Sequence, residues 1–229
     1  MFDELTQFAA QLGPEFANVN IVSTDDVPSV PSACLFGFAI KAGSSPFDDR
    51  QLVALNLDAI EDAAKPGRQA ACVKSVLIHE LGHCATIPPV EWADADREFI
   101  GDAMPQLRAR LLMRDSKIPE PPIDSPESYH GAAFLRSMLH LYGRAIQLGA
   151  DVPTDLYGSA GNGWLSPEAD YMRTLQGEII AMRGERFANI LATPAPAAFD
   201  ELWTADIDLY RANEQARIEY HRQRQERAK

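Results

Sequence analysis

The chain has 229 residues, of which 46% are hydrophobic and 24% are charged, so it can bury a substantial core and is unlike an intrinsically disordered chain. Its formal net charge of −12 disfavours nucleic-acid binding, because proteins that bind phosphates normally carry a basic face. No segment approaches the roughly 18 apolar residues that span a bilayer. Since the acidic residues Asp3 and Glu4 stand where a secretory signal would be basic, we expect a cytoplasmic protein without a membrane partner.

The first predicted elements are one helix and three strands. A helix is expected over residues 3–12, where apolar residues recur on one helical face. β-branched and aromatic residues, bounded by segments that contain Pro or Gly, then indicate short strands. These strands are predicted at residues 18–23, 34–41 and 51–57.

The rest of the chain has mainly helical patterns. Residues 68–86 are apolar over much of the helical surface, which predicts a central helix. Further helices are predicted at residues 91–113, 129–148, 167–190 and 199–228, with a Pro-rich connector at 114–127 and a short linker at 192–198. The order of elements predicts an α+β fold in which a small three-stranded sheet packs on the central helix and several helices follow. We divide the chain into a core (1–148), a loop and helix packed on it (149–191), and a linker with a charged C-terminal helix (192–229).

The central helix contains the pattern His-Glu-Leu-Gly-His at residues 79–83. Residues i and i+4 lie on one helix face, so the imidazoles of His79 and His83 can converge on one zinc ion. Glu80 is rotated about 100° around the helix from His79. There it can activate a metal-bound water as the catalytic base. The alternatives for this pattern are a structural zinc site without catalysis and a chance pair of core histidines.

Two neighbours of the pattern also carry predictions. Glycine inside a helix costs about 1 kcal/mol relative to alanine, so Gly82 predicts the close approach of another segment. Cys84 follows His83 and could supply a thiolate, but its side chain would project about 100° away from that of His83. The cysteines Cys34, Cys72 and Cys84 are therefore expected to be buried thiols.

A catalytic zinc site needs three protein ligands and one open position. Three histidines remain outside the central pattern. His221 lies in the charged C-terminal segment and is expected to be solvated, whereas His140 lies among apolar residues as a core histidine or as a group that supports the site. His130 begins a predicted helix in the segment Tyr-His-Gly-Ala-Ala-Phe and is the preferred third ligand.

These segments resemble the SprT-like family of zincin-type metallopeptidases. Members carry a helical HExxH pattern and a downstream His-Gly-x-x-Phe segment, which here correspond to 79–83 and 130–134. Leu55-Asn56 matches a Leu-Asn pair in the strand before the HExxH helix, and the resemblance covers roughly residues 1–145. It implies a zincin-like fold, zinc as the cofactor, peptide-bond hydrolysis, and His130 as the third ligand.

The chain departs from this family in two respects. His83 and His130 are 47 residues apart, a longer separation than we expect for the family, and the chain has no CxxC motif of a zinc ribbon. Carboxylates are therefore alternative third ligands. Asp102 lies 19 residues after His83, where gluzincins place a glutamate, and Glu98 is nearby. Asp155 lies in a segment that resembles part of the aspzincin signature.

The sequence thus predicts a zinc-dependent metallopeptidase. Its metal ligands would be His79, His83 and His130, its catalytic base Glu80, and its substrate a protein or peptide. The alternative is a catalytically inactive zincin-like module that binds metal and acts by binding a partner protein, with its C-terminal helix as a candidate contact.

Overall fold

The structure is a computed structural model that describes residues 1–27, 36–40, 50–86, 131–153 and 166–227. These residues form an α+β fold in which a three-stranded sheet is accompanied by several helices. The predicted fold class is confirmed at this level. The predicted helix at 91–113 and the connector at 114–127 lie outside the described residues.

Helix α1 (Phe2–Leu12) turns one apolar face toward the core. Asp3 and Glu4 occupy its first turn, where carboxylates interact favourably with the positive end of the helix dipole. Gly13 caps the helix in an extended conformation, and Pro14 begins a short 3-10 turn. The helix ends before the proline because a residue that precedes proline disfavours helical geometry.

The sheet consists of strands β1 (Asn20–Ser23), β2 (Gly37–Ile40) and β3 (Leu52–Leu55), in the spatial order β1-β3-β2. β1 pairs with β3 in parallel, with Asn20 opposite Leu52. β2 pairs with β3 antiparallel, with Gly37 opposite Leu55. Every residue of β3 is buried, as expected for a central strand covered on both faces.

The two faces of β3 contact different apolar clusters. Val53 and Leu55 belong to the main core, which the helices build. Leu52 and Ala54 instead join a smaller cluster with Phe38. Successive residues of a strand point to opposite faces of the sheet, which explains why alternate residues of β3 join different clusters. The described helices that build the main core therefore lie on the face to which Val53 and Leu55 point.

Helix α3 (Gln69–Thr86) is the centre of the helical layer. It contacts α1, β2, β3 and the short helix α2 (Leu57–Ala63) that precedes it. Buried residues surround most of its circumference, which confirms the predicted central helix. Because most of the surface of α3 is packed against other elements, the helix holds the side chains on its remaining surface in defined directions.

The later helices are α4 (Ala132–Gln147), α5 (Glu168–Ala181), α6 (Phe187–Ala192) and α7 (Ala197–Arg227). α4 packs on both α3 and α5, and α7 packs on α5. The buried carboxylate of Asp206 in α7 accepts hydrogen bonds from the amide and hydroxyl of Ser166 and from the hydroxyl of Tyr171. None of the described helices combines the length and apolar character needed to cross a bilayer.

Two predicted elements were wrong in their extent. The strand predicted to residue 57 ends at Leu55, because the side chain of Asn56 accepts a hydrogen bond from the amide of Ala59 and caps α2. The single helix predicted over 167–190 is two helices separated by residues 182–186. Arg144 of α4 donates hydrogen bonds to two backbone carbonyls in this break, which compensates for the interrupted helix.

Candidate metal centre

His79 and His83 lie on one face of α3, one turn apart. Both are partly exposed, whereas most residues around them on the helix are buried. Their ring centroids are 5.0 Å apart and their ring planes are inclined by 77°. The two imidazoles therefore form a pair at the boundary between the core and the surface, as the i, i+4 spacing predicted.

The separation of the two rings fits a shared zinc ion. With Zn–N bonds of about 2.0–2.1 Å and tetrahedral angles, two imidazoles on one zinc have centroids roughly 5 Å apart. Imidazole nitrogens are also preferred zinc donors. His79 and His83 thus suit zinc in both distance and donor chemistry.

Glu80 occupies a different face of α3, toward the sheet. Its residue is only 5% exposed, and burial raises the pKa of its carboxyl group to about 8. A carboxyl group with such a pKa can both accept and release a proton near neutral pH. Because Glu80 directly follows His79 in the HExxH pattern, it is the candidate general base.

Gly37 of β2 explains how the sheet can lie so close to Glu80. A Cβ atom at this position would be 3.3 Å from Cγ of Glu80, 3.1 Å from Cγ1 of Val76 and 3.0 Å from the carbonyl oxygen of Ala54. The absence of a side chain lets β2 approach α3 and helps to exclude water from Glu80. No local pattern in the sequence indicates this role of Gly37, because the role depends on packing between separate elements.

Phe134 of α4 contacts both histidines. Its ring centroid is 4.3 Å from that of His83 in a stacked arrangement and 4.9 Å from that of His79 in an edge arrangement. A Cβ atom on Gly82 would be only 3.0 Å from Cε2 of Phe134. The close approach predicted at Gly82 is therefore confirmed, and the approaching segment is α4.

A buried polar contact holds α3 one turn before His79. The hydroxyl of Ser75 donates to the carbonyl of Pro153 at 2.9 Å and lies 2.6 Å from the hydroxyl of Tyr142. Since a serine hydroxyl has one proton to donate, Tyr142 donates to Ser75. The contact joins α3, α4 and the residues after α4, and the sequence did not indicate it.

His140 is a core histidine rather than part of the histidine pair. Its side chain is fully buried, and its Nε2 lies 2.6 Å from Oε1 of Glu178. Arg136 donates two hydrogen bonds to the same carboxylate, at 2.8 and 2.9 Å. This cluster joins α4 to α5, so of the two predicted roles for His140 the structure favours the core role.

The predictions for His221 and for the three cysteines concern side chains other than the histidine pair. His221 is exposed on α7, as predicted. Cys72 and Cys84 are buried, and Cys34 lies outside the described residues. Burial raises the pKa of the Cys84 thiol, so this thiol is protonated at neutral pH.

All candidates for the third ligand lie outside the described residues. These are His130, Glu98, Asp102 and Asp155. Within the described part of the chain, no three His, Cys, Asp or Glu side chains gather as a metal-binding group. The described site therefore consists of two imidazoles and one buried carboxyl group, and the identity of the third ligand stays a prediction.

At the levels of family, sequence and structure, no family model, no curated protein and no solved structure matches the chain. The function of this chain is therefore inferred from its residues and their geometry.

Proposed function

We propose that this chain is a zinc-dependent metallopeptidase with a zincin-like arrangement, similar to the SprT-like family. The observation that supports this most directly is the pair of imidazoles of His79 and His83, whose ring centroids are 5.0 Å apart, together with the burial of Glu80, the residue that follows His79. Two nitrogen donors and an adjacent base form the characteristic part of an HExxH peptidase site. His130 would complete the ligand set.

The residues of this site divide the chemistry between them. Zinc held by the histidines would lower the pKa of a coordinated water to about 7 and polarise the carbonyl of the scissile bond. Glu80 would take a proton from the attacking water. With its pKa raised to about 8 by burial, the same carboxyl group can then return the proton to the leaving amine.

The position of β2 favours an extended peptide as the substrate. Among the described strands, β2 is at an edge of the sheet and pairs only with β3. It passes directly over Glu80 at Gly37. An extended peptide that adds to such an edge gains main-chain hydrogen bonds and lies beside the proposed base.

The test of this function is the substitution Glu80→Gln, with Glu61→Gln on the exposed surface of α2 as the matched control. Zinc content and cleavage of a proteome-derived peptide library are measured on both variants and on the wild type. We expect Glu80→Gln to retain zinc and to lose cleavage by at least about a hundredfold, because general-base catalysis contributes about 10²–10⁴-fold. Glu61→Gln should behave like the wild type.

Two results would contradict the proposal in different ways. Full cleavage activity in Glu80→Gln would remove Glu80 from the mechanism. Zinc binding by a wild type that cleaves no member of the library would instead favour the catalytically inactive metal-binding module. In that case the exposed C-terminal half of α7, with Ile218 and Tyr220 on its surface, would be the first surface to test for partner binding.

A further inference from the structure

Phe134 contacts the two proposed zinc ligands with one ring. It is 1% exposed and belongs to α4, whereas both histidines belong to α3. The stacked contact with His83 and the edge contact with His79 restrict two imidazoles at once. The ring is thus a single packing surface shared by the histidine pair.

The helix–helix contact is built around this ring. Gly82 lies between the two histidines in sequence, and its missing side chain leaves the space that Cε2 of Phe134 approaches. A Cβ atom there would also be 3.5 Å from Cβ of Met138. Because both neighbours belong to α4, a side chain at position 82 would push the ring away from the imidazoles.

The orientation of an imidazole is poorly fixed by its own bonds. The χ2 torsion of histidine is broad, so a histidine on a helix samples several ring directions unless its surroundings limit them. A metal site requires both donor nitrogens to face one point, and groups that orient the ligands therefore change metal affinity. Phe134 contacts both rings and can limit the directions of both imidazoles together.

We propose that Phe134 is a positioning residue that holds the imidazoles of His79 and His83 in the arrangement that binds a divalent cation. This inference rests on the zinc site of the proposed function. It does not depend on hydrolysis. Phe134 contacts both imidazoles and acts through them, so its effect is on metal affinity and on the geometry of the bound ion.

The experiment compares Phe134→Leu with Phe199→Leu in the full chain. Phe199 is equally buried, at 1% exposed, but it lies on α7, where its ring pairs with Tyr171. Co²⁺ is the probe, and both its dissociation constant and its visible absorption spectrum are measured. Phe134→Leu should weaken Co²⁺ binding by about tenfold or more and change the spectrum. Phe199→Leu should alter neither, even if its melting temperature falls equally.

A second variant covers the case in which Phe134→Leu does not fold. Gly82→Ala keeps both histidines and the ring but places a methyl group against Cε2 of Phe134. It should weaken Co²⁺ binding in the same direction. Combining it with Phe134→Leu should add no further loss, because leucine lacks the ring atom that the methyl group would meet.

The outcomes distinguish this inference from the function on which it rests. Wild-type affinity and an unchanged spectrum in Phe134→Leu, or in a folded Gly82→Ala, would overturn the positioning role and leave the zinc site intact. Failure of the wild type to bind Co²⁺ or Zn²⁺ would overturn both the zinc site and the role of Phe134.

Discussion

His140 shows how a buried histidine can remain neutral beside a carboxylate. Burial lowers the pKa of His140, and although Glu178 opposes this, the nearby charges of Arg144 and Arg136 lower it further. Burial raises the pKa of Glu178, but hydrogen bonds from Arg136 and His140 more than offset this and hold it below its ordinary value. Glu178 is thus ionised and paired with Arg136 at neutral pH.

These shifts predict that the His140–Glu178 cluster contributes less stability in acid. A group whose pKa is lower in the folded state than in the unfolded state binds fewer protons when folded, so it contributes stability above its unfolded pKa and loses it below. For His140 that loss begins near its ordinary pKa of 6.5, and for Glu178 near 4.5. Glu80 has the opposite effect, because a raised pKa makes its contribution to the free energy of unfolding increase as the pH falls from 7.5 to 5. The contribution of His140 is therefore measured by comparing the wild type with a variant that lacks this imidazole.

The variant His140→Gln separates this effect from those of other histidines. Glutamine can still donate a hydrogen bond to Glu178 but does not titrate. As the pH falls from 7.5 to 5, the free energy of unfolding of the variant, measured in urea, should therefore rise relative to that of the wild type. Identical pH dependence in the two proteins would show that His140 does not have the lowered pKa described here.

At the residue scale, the sequence predicted the parts of the site that are close together in the chain. The spacing of His79, Glu80 and His83 on a helix determines their relative directions, so the pair and its neighbouring acid followed from the pattern. Gly37 and Phe134 could not be assigned their contacts in this way. Their roles arise only when β2 and α4 pack against α3, and no local pattern reports that packing.

At the element scale, α4 and α5 meet at a second close contact. Gly143 of α4 is buried against Ile179 of α5, and a Cβ atom at this glycine would overlap the isoleucine side chain. Ile179 is β-branched and therefore stiff, so it cannot easily move away. Gly177 of α5 is also helical, but nothing lies near the position of its missing Cβ atom.

This difference predicts opposite effects for two chemically identical substitutions. Gly143→Ala should destabilise the protein by about 1–3 kcal/mol through overpacking. Gly177→Ala should stabilise it by about 0.5–1 kcal/mol, because alanine favours the helix more than glycine does. Urea denaturation measures both. Equal changes in the two variants would argue against the close packing of α4 on α5.

Helices were predictable from the sequence where the pattern of apolar residues was clear. The apolar face of α1 and the almost continuous apolar surface of α3 gave helices with nearly the observed limits. The short helix α2 was missed because its cap, Asn56, and its first residue, Leu57, were assigned to the preceding strand. The break between α5 and α6 was also missed, since Arg144, which binds carbonyls in the break, is distant in sequence.

At the scale of the whole molecule, the candidate site joins segments that are far apart in the chain. Gly37 comes from β2, the histidines and Glu80 from α3, and Phe134 from α4. The order helix, strands, helices was predicted, but neither the β1-β3-β2 order nor the antiparallel placement of β2 was. These features determine which strand faces Glu80, and they depend on tertiary packing rather than on local sequence.

The proposed zinc site is best tested by the zinc content per chain, measured by elemental mass spectrometry after zinc reconstitution. The samples are the wild type, His83→Ala, His130→Ala, and His221→Ala as a control on the exposed surface of α7. We expect about one zinc per chain in the wild type and the control, and a large loss in the other two variants. If His130→Ala keeps its zinc while His83→Ala loses it, the third ligand is a carboxylate rather than His130. A folded wild type that holds no zinc would show that this chain has no zinc site.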